Sequence, residues 1–266
     1  MPQLTKKEKK KAERAEFLRK SLSEVRKKVR SDLKKGVGSK DFCAALAVAL
    51  IDETYARIGN QNSEEENGHY GITGWRKKHL TFKGGNAIVK YVGKSGVKHT
   101  KTIRNKAVVS ALRALADRAE DGESPLLQYD YDDRLSRLTS TDVNSYLKGF
   151  DVTAKDIRGF HANAEMKKAL KDLRSENGAL PDDKEAREKQ LTKEFEQALK
   201  TVAKCLGHEE KTLRSHYLVH NFEKTFFEEG KPLEKFSSTG QRLLIAHRVA
   251  LRVYRQRYGT PYDYEL

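Results

Sequence analysis

The sequence predicts a mainly helical domain that carries a small three-stranded antiparallel sheet. Three observations point there. Long stretches with helical spacing are opened by capping residues and closed by glycine, as at Thr153-Ala154-Lys155-Asp156 and at Leu206-Gly207. Three short β-rich runs, His79–Phe82, Ala87–Val92 and Val97–Ile103, are joined by Gly84-Gly85 and by Gly93-Lys94-Ser95-Gly96, which read as tight hairpin connections. Hydrophobic residues make up 37% and charged residues 34% of 266 positions, a balance that suits a surface-rich helical protein with one sizeable core. No run of about 18 apolar residues occurs. The basic N-terminus lacks the apolar stretch of a secretory signal. Cys43 and Cys205 are too few for a disulfide framework, so an intracellular, reducing setting is expected.

Residues 1–40 hold 15 Lys+Arg against 5 Asp+Glu, a net of +10 that leaves only +5 of the chain's +15 for the rest. Such an excess favours a polyanionic partner, nucleic acid foremost. From Lys6 to Lys35 the composition is that of a long solvated helix or a disordered tail, with few large apolar residues to anchor it. Gly36, Gly38 and Ser39 mark a break. The expectation is a basic N-terminal arm over residues 1–40, either a solubilising leader or a phosphate-tracking device. A single folded unit over residues 41–266 follows it.

Asp41 to Ile58 reads as a helix apolar on nearly every side, through Phe42, Ala45, Leu46, Val48, Leu50 and Ile51, which marks the centre of a core. Arg57 is expected in its last turn, where a cation pairs well with the helix C-terminus, with Gly59 closing it. Asn60 to Gly74 reads as a polar loop. The strands then place Lys94 at the tip of the second hairpin, either solvated or reaching into a neighbouring cleft. Everything afterwards reads as helical. Lys106 to Ala119 is one helix, and Asp142 to Leu147 begins another behind Ser140 and Thr141. The Thr153 box opens a third, with Arg158 one turn past an N-terminus that favours anions. Pro181 suits the first turn of a long helix ending at Leu206. Gly207 stops that helix in the left-handed conformation, so His208 leaves it at a turn, and a short helix from Glu209 to Val219 presents Tyr217. Leu243 to Tyr258 gives an amphipathic helix with Arg248, Arg252 and Arg255 on its polar face.

A tyrosine of pKa near ~10 is a poor nucleophile at neutral pH without positive charge beside it. Phosphodiester transfer without a metal needs two arginines, another donor, a proton donor for the leaving oxygen and a nucleophile. Arg57, Arg158, His208, Lys94 and Tyr217 can fill those roles in that order. The Gly-x-x-x-x-Gly-Lys-Ser/Thr loop of ATP-binding proteins is absent.

Several stretches resemble the catalytic domain of type IB DNA topoisomerases, particularly the short bacterial and poxviral forms. They are Ala45 to Asp52 with Tyr55-Ala56-Arg57-Ile58-Gly59-Asn60, Glu66 to Thr73, Val92-Gly93-Lys94-Ser95-Gly96-Val97-Lys98-His99, Lys155-Asp156-Ile157-Arg158, and Leu206-Gly207-His208 with Tyr217. The resemblance spans roughly residues 41–236. It implies the tyrosine recombinase/topoisomerase IB fold and the catalytic set Arg57, Lys94, Arg158, His208 and Tyr217. It also implies cleavage of one strand of double-stranded DNA through a 3′-phosphotyrosyl intermediate, rotation of the free end, and resealing by a monomer with no cofactor, metal or ATP. Residues 41–266 are then a topoisomerase IB-like catalytic domain.

The chain also departs from that family. Members usually carry a mostly β N-terminal domain that closes over the DNA, where this chain shows its lysine-rich arm; it is either a fragment, or the arm replaces part of the clamp, or clamping is weaker. Many members have Ser-x-x-Tyr at the nucleophile, whereas Arg214 stands three before Tyr217. Three alternatives compete. A tyrosine recombinase or integrase shares the fold, but typically has His-x-x-Arg where Lys155 begins this motif. A zinc-stabilised module could draw on Cys205, His208, His216 and His220, at a spacing that matches no standard zinc pattern. A non-catalytic basic DNA-binding protein would not need Tyr217.

Overall fold

The structure, a computed structural model, describes residues 6–219 and 221–232, with side chains of the first helix from Phe17 onward. The helix expected from Leu243 lies outside the described residues. Helix α1 spans Lys6–Asp32 and α2 spans Lys40–Thr54, the latter opened by Ser39, whose side chain accepts from Phe42 N–H. Ten of the fifteen residues of α2 are buried, as its broad apolar surface requires.

The arm is not a solvated helix over its whole length. Phe17, Leu18, Leu22, Val25 and Val29 are buried in the same core as α2. Leu18, Leu22, Val25 and Val29 recur at four- and three-residue steps, one stripe of a helix, so few apolar residues suffice because they all face one way. Arg26 on this helix binds Asp52 of α2 through two contacts of 2.7 and 2.9 Å. Leu22→Ala should therefore cost about 2–5 kcal/mol of stability, read from urea melts; a cost near zero would mean that α1 is undocked in solution.

Strands β1 (Leu80–Lys83), β2 (Asn86–Val92) and β3 (Lys98–Ile103) form the expected antiparallel sheet in the order β1-β2-β3. Its register pairs Ala87 with Ile103, Val89 with Lys101 and Tyr91 with His99. Ala87, Val89, Tyr91 and Ile103 are buried against α2 and α4 (Lys106–Arg118), so the alternation of a strand puts His99 and Lys101 on that same inner face. A second hairpin corrects the reading that only helices follow. It consists of β4 (Gln128–Tyr131) and β5 (Arg134–Arg137). Its turn residues Asp132 and Asp133 have φ of 45° and 58°, a turn that Asn-Gly or Asp-Gly usually announces; two aspartates gave no such signal.

Two more corrections bear on the site. Helix α2 ends at Thr54, short of Arg57. Thr54 turns its hydroxyl back to Leu50 C=O at 2.6 Å, and Tyr55 adopts the left-handed conformation with φ 59°. That backbone is unfavourable for a side chain of this size, and tertiary contacts hold it: the Tyr55 hydroxyl donates to Glu165 at 2.9 Å and its ring stacks on His161 at 4.4 Å. Within the stretch expected to be a loop, α3 (Gln61–Asn67) forms behind an Asn60 cap. Its Glu64 is buried and binds both Arg76 and Arg137.

Helix α5 (Ser140–Lys148) is capped by Thr139 rather than Ser140. Helix α6 (Ala154–Asn177) opens with the expected box, Thr153 and Asp156 each bonding the other's backbone N–H. Helix α7 (Lys184–Leu206) starts behind Asp183 rather than at Pro181, and ends at Gly207 with φ 66°. Helices α8 (Glu210–His216) and α9 (Asn221–Glu229) complete the described chain. Side chains of α6 to α9 build a second hydrophobic cluster, from Ala162 to Phe226. Arg158, next to Ile157 of the first cluster, reaches Tyr217 of the second.

Candidate active site

Arg158 is the centre of the site. It is 4% exposed, on the first turns of α6, and all of its nitrogens are engaged. Nε donates to Tyr55 C=O at 2.7 Å, Nη1 to the Tyr217 hydroxyl at 3.0 Å, and Nη2 to Leu206 C=O at 3.1 Å. Nη2 also lies 3.1 Å from His208 Nε2, while Arg57 Nη2 lies 3.0 Å from Nδ1 of the same ring. Burial, offset in part by the facing Tyr217, lowers the Arg158 pKa from its ordinary value, yet so strong a base stays charged.

Burial and then the two flanking arginines push His208 down to about 3. The ring is neutral at physiological pH, and a neutral imidazole has one lone pair to offer. Only one arginine can therefore donate to it in either tautomer. Two guanidinium cations face each other across one neutral ring, an arrangement that an arriving anion would relieve. Between pH 6.5 and about 3 the unfolded state holds more protons at His208 than the folded state does. Its stability contribution is thus full above pH 6.5 and is lost as pH falls through that window. His208→Gln should flatten the acid limb of a urea-derived stability profile; an unchanged limb would assign the protons elsewhere.

Tyr217 is 9% exposed, at the C-cap of α8, with its ring centroid 4.4 Å from that of His208. Asn163 of α6 grips the segment from behind: Nδ2 donates to Tyr217 C=O at 2.8 Å, and Oδ1 accepts from Val219 N–H at 2.9 Å. Arg57 stands on the extended chain beyond Tyr55, pinned by Ile72 N–H to Arg57 C=O at 2.9 Å and Thr73 N–H to Ile58 C=O at 2.8 Å. Glycine is required at this crossing, because a methyl on Gly71 would lie 2.4 Å from Gly59 Cα. Lys94 is exposed at the tip between β2 and β3, in a short 3-10 turn, Lys94–Gly96.

Arg57, Lys94, Arg158 and Tyr217 line one open cleft of about 560 Å³, together with Lys155, His69, Tyr70 and His216. Four of its lining residues are Arg57, Lys94, Lys155 and Arg158, and none is Asp or Glu. Of the five residues singled out by sequence, Arg57, Arg158, His208 and Tyr217 are linked by direct contacts, and Lys94 borders the same cleft. A larger cleft of about 880 Å³ between α1, α2 and α4 contains none of them. A metal on His208 would have two arginine cations beside it, which weighs against the zinc alternative. Arg214, standing where Ser-x-x-Tyr has serine, pairs with Glu223 of α9.

Sequence reading missed the supports of this cluster. Asn163 is one. Lys101 of β3 is another: its ammonium donates to Cys205 C=O at 2.8 Å, holding the last turn of α7 beside His208. A third is the chain from Arg26 through Asp52 to His161, on which Tyr55 stacks. None carries a local signal, since each joins segments far apart in sequence.

The Tyr217 hydroxyl is thus held by a buried arginine, in a cleft lined by further cations and by no carboxylate. A family model described as the catalytic core of eukaryotic DNA topoisomerase I matches residues 3–235, and the chain belongs to that family. It is 26% identical over 219 residues to a DNA topoisomerase 1B of Acanthamoeba polyphaga mimivirus, covering 79% of this chain and 63% of the relative. It is also 26% identical over 210 residues to a DNA topoisomerase 1 of Schizosaccharomyces pombe, covering 78% of this chain and 24% of that protein. The chain thus spans less than two thirds of the length of either relative. A post-cleavage complex of the XerH site-specific recombinase aligns at 16% identity and a TM-score of 0.44, covering 77% of this chain and 51% of that one, a distant likeness only.

Proposed function

We propose that this chain relaxes supercoiled double-stranded DNA by transient cleavage of one strand through a 3′-phosphotyrosyl intermediate, followed by religation. What supports this most directly is the contact of Arg158 Nη1 with the Tyr217 hydroxyl at 3.0 Å, with His208 and Arg57 completing the ring of donors. Tyr217 Oη attacks the phosphorus and gives its proton to solvent, with Arg158 Nη1 donating to the same oxygen. The P–O5′ bond breaks, and Lys94 protonates the departing 5′-oxygen. Arg57, Arg158 and His208 hold the non-bridging oxygens, where charge accumulates. Resealing is the reverse: the 5′-hydroxyl returns its proton and displaces Tyr217. The phosphotyrosyl bond conserves the energy of the broken linkage, so neither ATP nor a metal ion is called for.

Incubation with negatively supercoiled plasmid in EDTA without ATP tests the proposal. Stepwise relaxation is expected; DNA binding with unchanged linking number would leave a passive binding protein. The N-terminal arm has a test of its own. Removing residues 2–16 spares the docked stripe of α1, and if those residues track phosphates it should flatten the log–log salt dependence of binding by ~0.9 per lost contact. An unchanged slope would make the segment a solubilising leader. Removing residues 1–38 would instead take away Leu18, Leu22, Val25 and Val29, all buried.

A further inference from the structure

The turn between β2 and β3 and the end of α7 share a feature that the proposed roles do not use. Gly93 precedes Lys94 and Gly207 precedes His208, and one side chain packs against both glycines. A methyl built on Gly207 would lie 2.2 Å from Cε1 of His99, and one built on Gly93 would lie 2.7 Å from Cδ2 and 2.8 Å from Nε2 of the same ring. Both distances are below van der Waals contact, so the imidazole sits directly on the two Cα atoms. Gly207 must be glycine for its positive φ. Gly93 has φ −97° and ψ −170°, a backbone open to any residue, so space for His99 is what requires glycine there.

The ring is fixed on its other sides. It stacks on Tyr91 with centroids 4.9 Å apart and planes at 27°, and Tyr91 in turn packs on the buried Trp75. Two residues further along β3, Lys101 holds Cys205 C=O. Burial, then Lys101, Arg57 and Arg158, lower the His99 pKa, which keeps the ring uncharged among these cations.

We propose that His99 is a positioning residue, a wedge between Gly93 and Gly207 that sets where Lys94 stands relative to His208. Lys94 is exposed on a long side chain, and the backbone at Gly93 is what aims it. Without the wedge the hairpin tip gains freedom against the phosphate-binding turn, and the proton donor loses its register with the leaving oxygen. This inference rests on the strand-transfer reading above.

The test is single-turnover cleavage by the wild-type protein, His99→Ala, His99→Asn, Gly93→Ala and the double variant His99→Ala/Gly93→Ala. Each is assayed on a duplex with an ordinary scissile phosphodiester and on one with a 5′-bridging sulfur, which leaves without protonation. His99→Ala should cleave the ordinary duplex about tenfold to a hundredfold more slowly and recover most of that loss on the sulfur duplex. Gly93→Ala should be slowed too, and the double variant should outpace it, because the added methyl then fills the space left by the ring. If His99→Ala does not fold, His99→Asn carries the same expectation. Wild-type rates for the folded variants, or equal slowing on both duplexes, would overturn the proposal. If the wild-type protein forms no adduct on either duplex, the strand-transfer reading has failed instead. The wedge is then judged by thermal melts, where Gly93→Ala should destabilise the wild-type protein and be tolerated beside His99→Ala; equal cost in both backgrounds would overturn it.

Discussion

Tyr217→Phe should form no covalent protein–DNA adduct while binding DNA nearly as well as the wild type. The change removes one oxygen from a side chain that is 9% exposed and leaves the ring packing intact. Arg158 Nη1 loses one acceptor but its guanidinium keeps Tyr55 C=O and Leu206 C=O, so the stability cost is about 1 kcal/mol. The loss of chemistry is total because no second hydroxyl takes the hydrogen bond from Arg158 among its described contacts. Denaturing electrophoresis of protein trapped on labelled duplex reads the result. A denaturant-stable adduct in this variant would mean that another residue attacks.

The second large effect is expected at Lys94. Lys94→Ala should slow cleavage of an ordinary phosphodiester by about 10²–10⁴-fold, the range for losing a positioned acid. The residue is exposed at a hairpin tip, so folding should be unaffected and circular dichroism unchanged. A 5′-bridging sulfur is a good leaving group without a proton, and cleavage of that substrate should largely recover. Equal slowing on both would mean that Lys94 contributes charge or orientation and that another group is the acid.

The two predictions draw on residues of different legibility. Tyr217 and Lys94 stood out in the sequence because a local device presents each of them: a glycine stop followed by a short helix for one, a glycine-flanked hairpin for the other. The Thr153–Asp156 box places Arg158 on the correct helix turn, yet its burial and its four partners have no local signal, since all four lie outside α6. Arg57 was placed on a helix that in fact stops three residues earlier.

What the sequence determined by itself is local. The apolar circumference of α2, the capped start of α6, the left-handed stop at Gly207 and the three-stranded hairpin layer each follow from backbone preferences acting over a few residues. Tertiary structure decided the rest. Helix α2 breaks at Tyr55 because Glu165 and His161, more than a hundred residues away in sequence, hold an otherwise unfavourable backbone. The basic arm docks because a narrow apolar stripe outweighs its average composition once α2 offers a surface. The neutral state of His208, the grip of Asn163 on the Tyr217 segment and the packing of His99 against Gly93 and Gly207 exist only where separate segments meet. Short-range preferences set the elements; desolvation and cross-chain contacts, which no local pattern encodes, set the site.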